Sequence, residues 1–126
     1  MKHLDPSALS ILRAIFGMGL LTFVMGAWMS AVRDSAMRRA GLTLQDAAHT
    51  RDLAARLPSS ARRVADNYNH LFEAPTIFYA AALAIIVAGI ADTLYAACAW
   101  AFLGCRIIHS LVQATINRVQ LRATLY

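Results

Sequence analysis

Three stretches of the chain carry no charged residue, and their lengths set the architecture. Residues 14–32, AIFGMGLLTFVMGAWMSAV, run for 19 positions without a charge; at about 1.5 Å per residue that is roughly 28 Å, the thickness of a bilayer core. A second run, APTIFYAAALAIIVAGIA, covers residues 74–91, and a third, TLYAACAWAFLGC, covers 93–105 and stays apolar beyond Arg106. The pattern predicts an all-α, polytopic transmembrane helical bundle forming one domain over residues 1–126, with spans over about 7–33, 60–90 and 92–120. Asp5 followed by Pro6 marks the start of the first helix: a capping carboxylate, then a residue whose missing N–H costs nothing in the first turn.

Polar positions inside the second and third spans fall into rows. Before the second apolar run, Arg62, Asp66, Asn69 or His70, and Glu73 recur at spacings of three and four, which puts them on one helix face. The third span repeats the pattern with Arg106, His109 and Gln113, followed by Asn117 or Gln120. Two helices joined by the short GIAD turn must be antiparallel, so these rows are expected to face each other. From that turn, near residue 91, Glu73 lies 18 residues back and Arg106 lies 15 forward. The similar depth predicts a Glu73–Arg106 ion pair, because either charge left unpaired at depth costs several kcal/mol. A polar row can also be no more than a clamp between helices, each hydrogen bond contributing about 0.6–2 kcal/mol. Two complementary rows holding a charge pair and two imidazoles exceed what a clamp requires.

Composition supports the membrane reading. The chain is 59% hydrophobic and only 15% charged, against roughly 25% charged in soluble domains, and its mean hydropathy is +0.50. The net charge of +5 is not a nucleic-acid signal: the basic residues flank spans and no aromatic platform accompanies them. The long polar connection over 34–59 and its flanks hold Arg33, Arg38, Arg39, Arg51, Arg56, Arg62 and Arg63, whereas GIAD holds no Lys or Arg. The positive-inside rule therefore puts the 34–59 loop and the Arg118–Arg122 end in the cytoplasm. Within that loop, TLQDAAHTRDLAARL is expected to form a short amphipathic helix at the membrane surface.

The first run is expected to be retained rather than cleaved: its charged leader is thin, and no small-x-small site precedes a soluble domain. Cys98 and Cys105 lie too far apart along one helix to bridge, and they read as small packing residues. No second histidine or carboxylate follows His109 at ligand spacing, so no metal site is expected. Ser110 lacks a base, no Gly-rich phosphate loop is present, and His3 and His49 read as solvated.

In these residues the chain resembles the MAPEG family, the membrane-associated proteins of eicosanoid and glutathione metabolism. The likeness covers most of the chain: first span, basic loop, a polar-then-apolar second span with Glu73 and Pro75, and a third span with Arg106-x-x-His109. RIIHSLVQATINRVQLRATLY is similar to the prostaglandin synthase branch in Arg106, His109, Arg118, Arg122 and Tyr126, whereas HLFEAPTIFY is similar to bacterial members of uncharacterised function. The resemblance implies a four-helix subunit in a homotrimer, in a bacterial inner membrane, with glutathione bound between subunits near the cytoplasmic face. It implies cofactor contacts from Arg33, Asn69, His70, Glu73, Arg106, His109 and Gln113, with Glu73 receiving the glutathione amino group. Arg118 and Arg122 would meet its carboxylates or stabilise its thiolate.

The chain also departs from the family pattern. Where glutathione-using branches place an Asn three residues before the Glu, and often an Arg before that Asn, this chain has His70 and Asn69. Gln113 stands where a tyrosine is common. The family has a fourth span and this sequence stops at Tyr126, so either the fourth helix is missing or the sequence is truncated. Two functions follow from the resemblance. One is a glutathione-dependent transferase, peroxidase or isomerase acting on a lipophilic electrophile that arrives from the bilayer, a role toward which Glu73, Arg106, Arg118 and Arg122 pull. The other is a non-enzymatic membrane protein that holds a lipid or small hydrophobe in the same crevice, toward which Gln113 and His70 pull.

Overall fold

The computed structural model describes residues 5–43 and 56–115. Four helices make up these residues: α1 (Pro6–Arg39), α2 (Ser59–His70), α3 (Ala74–Ala88) and α4 (Thr93–Thr115). The α1 helix, the α2–α3 pair taken together, and α4 are each long and apolar enough to cross a membrane. The amphipathic segment expected over 43–57 lies largely outside the described residues, as do Asn117, Arg118, Gln120, Arg122 and Tyr126.

Local chemistry sets the helix ends. The Asp5 side chain accepts from the Ser7 N–H at 2.7 Å, with Pro6 in the first turn, as the sequence predicts. Residue 41 ends α1 and residue 89 ends α3; both are glycines with positive φ, 65° and 70°. A left-handed residue there lets the next N–H bond back five residues: Leu42 to the Met37 carbonyl at 3.0 Å and Ile90 to the Ile85 carbonyl at 3.3 Å. Asp92 then starts α4 by accepting from the Tyr95 N–H at 2.8 Å. The turn between α3 and α4 is thus closed at both ends, and the two helices run antiparallel.

Helix α1 extends to Arg39, six residues beyond the expected end of its span, and packs against all three other helices. Three apolar layers follow its length. At the turn end Ile11 and Ala14 meet Ala82, Ala96 and Ala99. In the middle Met25 meets Val64, Leu71 and Ala114. At the loop end Ala36 and Met37 meet Leu57 and Ala61. Small residues on α1 permit this closeness: a Cβ on Gly17 would stand 2.7 Å from Leu103, and one on Gly26 would stand 2.9 Å from the Tyr68 ring. Small residues that let a neighbouring side chain seat against the helix backbone are how helices associate where lipid removes the hydrophobic drive.

Candidate functional site

The second span is broken. Pro75 has no N–H to give to Leu71, and its ring clashes with the carbonyl four residues back, so a helix cannot run through it undisturbed. Residues 71–73 form a turn instead, in which the Phe72 N–H reaches the Asn69 carbonyl at 3.0 Å and the Glu73 N–H reaches the His70 carbonyl at 3.4 Å. Counting 15 residues of α3 from its far end places this break about 22 Å from the turn end. Irregular backbone at that depth needs its polar groups satisfied inside the protein. Arg106 does this: its Nη2 donates to the His70 carbonyl at 2.8 Å. Arg106 is 4% exposed, and its guanidinium also complements the negative end of the α2 dipole.

The expected Glu73–Arg106 ion pair is corrected by this arrangement. Glu73 Oε2 pairs with His70 Nδ1 at 2.9 Å, and the Glu73 side chain is 64% exposed. The break turns Glu73 to the outside of the subunit while Arg106 remains beneath, bonded to the backbone between them. His70 joins the two charges, through its ring to Glu73 and through its carbonyl to Arg106.

Apart from the bond from Arg106 to the His70 carbonyl, the two polar rows do not face each other. On α4 the predicted row is inside: Arg106, His109 and Gln113 are all buried, and Ser110 with them. His109 Nε2 and Gln113 Oε1 lie 2.8 Å apart, which makes the ring nitrogen the donor. On α2 the predicted row points away, and Arg62, Asp66 and Asn69 are exposed. The inward face of α2 is Ala61, Val64 and Asn67, continued by Leu71 in the turn, because Val64 and Leu71 complete the middle apolar layer and turning the charges inward would cost their hydration.

The amide that enters the bundle is therefore Asn67, 1% exposed, and not Asn69. Asn67 and Ser110 lie outside the polar rows expected from the sequence, yet both are buried. Their signal was register: Asn67 continues the spacing of Ala61 and Val64 on the apolar side of α2. The cysteines differ from expectation too, since both are exposed rather than packed.

The buried polar inventory has a sign. Buried nitrogen or oxygen atoms without a hydrogen-bond partner include Arg33 Nε and Arg63 Nε, Asn67 Nδ2, Gln113 Nε2 and Ser110 Oγ. The first four are donors only, and the hydroxyl can donate. Arg33, half-buried on α1, contributes to this set from a third helix. Groups of this kind call for acceptor oxygens, which fits a carboxylate-bearing ligand and does not fit a cation. Among the described residues no cluster of three His, Cys, Asp or Glu side chains stands ready for a metal ion. Arg118 and Arg122 lie outside the described residues.

Comparison with curated proteins finds no match, and comparison with solved structures finds none. The family model described as MAPEG family matches residues 11–126, nearly the whole sequence and every element described above. With three apolar spans in the described structure, the chain is an all-α, multi-pass integral membrane protein, and it belongs to the MAPEG family.

Proposed function

We propose that the protein binds glutathione and uses it on a lipophilic electrophile, by transfer, peroxide reduction or isomerisation, at a site completed by a neighbouring subunit of a homotrimer. The observation that carries this reading is that the unpaired buried groups named above on α1, α2 and α4 can all donate, four of them as donors only. Glutathione has two carboxylates and one ammonium, so a set of buried donors together with the Glu73 carboxylate matches its charges. In this reading Arg33, Arg63, Asn67, Ser110 and Gln113 receive carboxylate or carbonyl oxygens, and Glu73 receives the ammonium.

Arg106 acts through the His70 carbonyl, holding the break that presents Glu73 and His70, while His109 orients Gln113. Bound glutathione supplies a thiol whose ionised form is the nucleophile; Arg118 and Arg122 are the cations we assign to favouring that form. The exposure of Glu73 within a membrane span supports the intersubunit placement, since a carboxylate at that depth needs cover from protein or ligand. The distribution of Arg and Lys supports a cytoplasmic 34–59 loop, which puts the buried donors nearer the side where glutathione is available, in a bacterial inner membrane.

A second reading has its own observation. Gln113 is fully buried and its oxygen is engaged by His109, which suits a protein that holds a lipid or small hydrophobe without chemistry. Calorimetric titration of detergent-purified protein with glutathione separates the two. Saturable binding at millimolar glutathione, weakened in Glu73→Gln and Arg106→Ala, is the expected result. No saturable binding overturns the glutathione reading, and equal binding by both variants overturns the placement of the site.

A further inference from the structure

At the turn end of the bundle, away from Arg106, His109 and Gln113, α3 and α4 both pack against α1. A cleft of about 230 Å³ opens between them, with Ile11 of α1 against it. Phe78, Ala82 and Ile85 form one wall; Tyr95, Cys98 and Phe102 belong to the other. The Phe78 and Phe102 rings stack at 4.7 Å, with 10° between their planes. On α4 that stack lies one helical turn before Arg106. Apart from the Tyr95 hydroxyl and the Cys98 thiol, the lining side chains are hydrocarbon.

We propose that this cleft is a binding site for one acyl chain of a zwitterionic membrane phospholipid. Medium, size and charge select that occupant. The cleft lies within the spanning part of two helices whose neighbouring side chains, Leu83, Val87 and Leu94, are exposed, so hydrocarbon chains are what surround it. An α-helix with side chains is about 10 Å across and does not enter a volume of 230 Å³, whereas an extended alkyl chain does. Small residues, Ala81, Ala82, Cys98 and Ala99, leave room along both walls.

From Tyr95 to Phe102 the cleft is about 10 Å long. Tyr95 marks its outer end, where an amphipathic ring suits the headgroup boundary. Asp92 is the one charge in the segment 89–95, which disfavours an anionic headgroup at that mouth. On α1, Arg13 stands two positions from Ile11, about 200° around the helix and so on the other side.

The test counts lipid retained by the purified full-length chain, by native mass spectrometry after detergent exchange in the presence of phosphatidylethanolamine or phosphatidylglycerol. One phosphatidylethanolamine per chain is expected, retained at least about tenfold better than phosphatidylglycerol. Ala81→Phe and Cys98→Phe fill the cleft from exposed positions and should abolish retention, while Cys105→Phe, exposed and outside the lining, should leave it unchanged. Helix content by circular dichroism identifies any variant that fails to fold. For those, alkylation replaces retention: in wild-type protein Cys98 should react more slowly when phosphatidylethanolamine is added, with Cys105 unaffected. Equal retention by the filled variants, or an equal response of both thiols, overturns the proposal. So does a chain-to-chain cross-link through Cys98 in Cys105→Ser, which would show a second copy in the cleft.

Discussion

The α4 row and the α2 row read alike in sequence, yet they occupy opposite environments. Arg106, His109 and Gln113 lie inside the bundle, whereas Arg62, Asp66 and Asn69 lie outside it. The difference comes from what shares each helix. On α4 the row continues the line of Ala96, Ala99 and Leu103, so the core draws it inward. On α2 the apolar residues Ala61, Val64 and Leu71 stand on the other side from the charges, and they decide which way the helix turns. A row of polar spacing identifies a face; the apolar residues determine where that face looks.

The contrast can be broken most strongly from the inner row. His109→Ala leaves the Gln113 oxygen buried without its donor and opens a cavity, and should cost about 2–4 kcal/mol. Arg106→Ala strips the His70 carbonyl of a charged donor and should cost about 1.5–3 kcal/mol, with Arg106→Lys retaining part of that. Both are read by unfolding in mixed micelles of increasing SDS. Packing sharpens the same contrast next: Gly26→Val drives a branched side chain into the Tyr68 ring, and should destabilise by about 1–3 kcal/mol in the same assay. Glu73→Gln on the outer row should change stability by less than about 1 kcal/mol, because its pair with His70 is largely exposed. A loss at Glu73 as large as that at Arg106 would contradict the assignment of inside and outside.

Much of the fold was legible in the sequence. Three uncharged runs predict the spans, Asp5-Pro6 predicts the first cap, and a turn without Lys or Arg predicts the antiparallel pair. The break at 71–73 was less legible. Pro75 announces it, but whether a proline kinks a membrane helix or ends it depends on what satisfies the released carbonyl, and Arg106 is distant in sequence. The same long-range contact explains the failure of the Glu73–Arg106 pairing, since equal depth says nothing about rotation around the helix axis. The burial of Asn67 follows from its apolar register with Ala61 and Val64, which a row defined by charge does not include.

Asn67 also gives the most direct test of the central claim, that the unpaired buried donors are a glutathione site. If Asn67 is only an unsatisfied core amide, replacing it with a leucine of similar size removes a buried orphan and leaves binding untouched. If it is a ligand donor, stability and binding move apart. Glutathione affinity should be measured by calorimetry for the wild type, Asn67→Leu and Asn69→Leu, with SDS unfolding of each in parallel. The account predicts that Asn67→Leu is as stable as the wild type or more so but binds about tenfold more weakly, a loss of about 1.4 kcal/mol, while Asn69→Leu binds normally. Unchanged binding in Asn67→Leu, or the larger loss in Asn69→Leu, would contradict it.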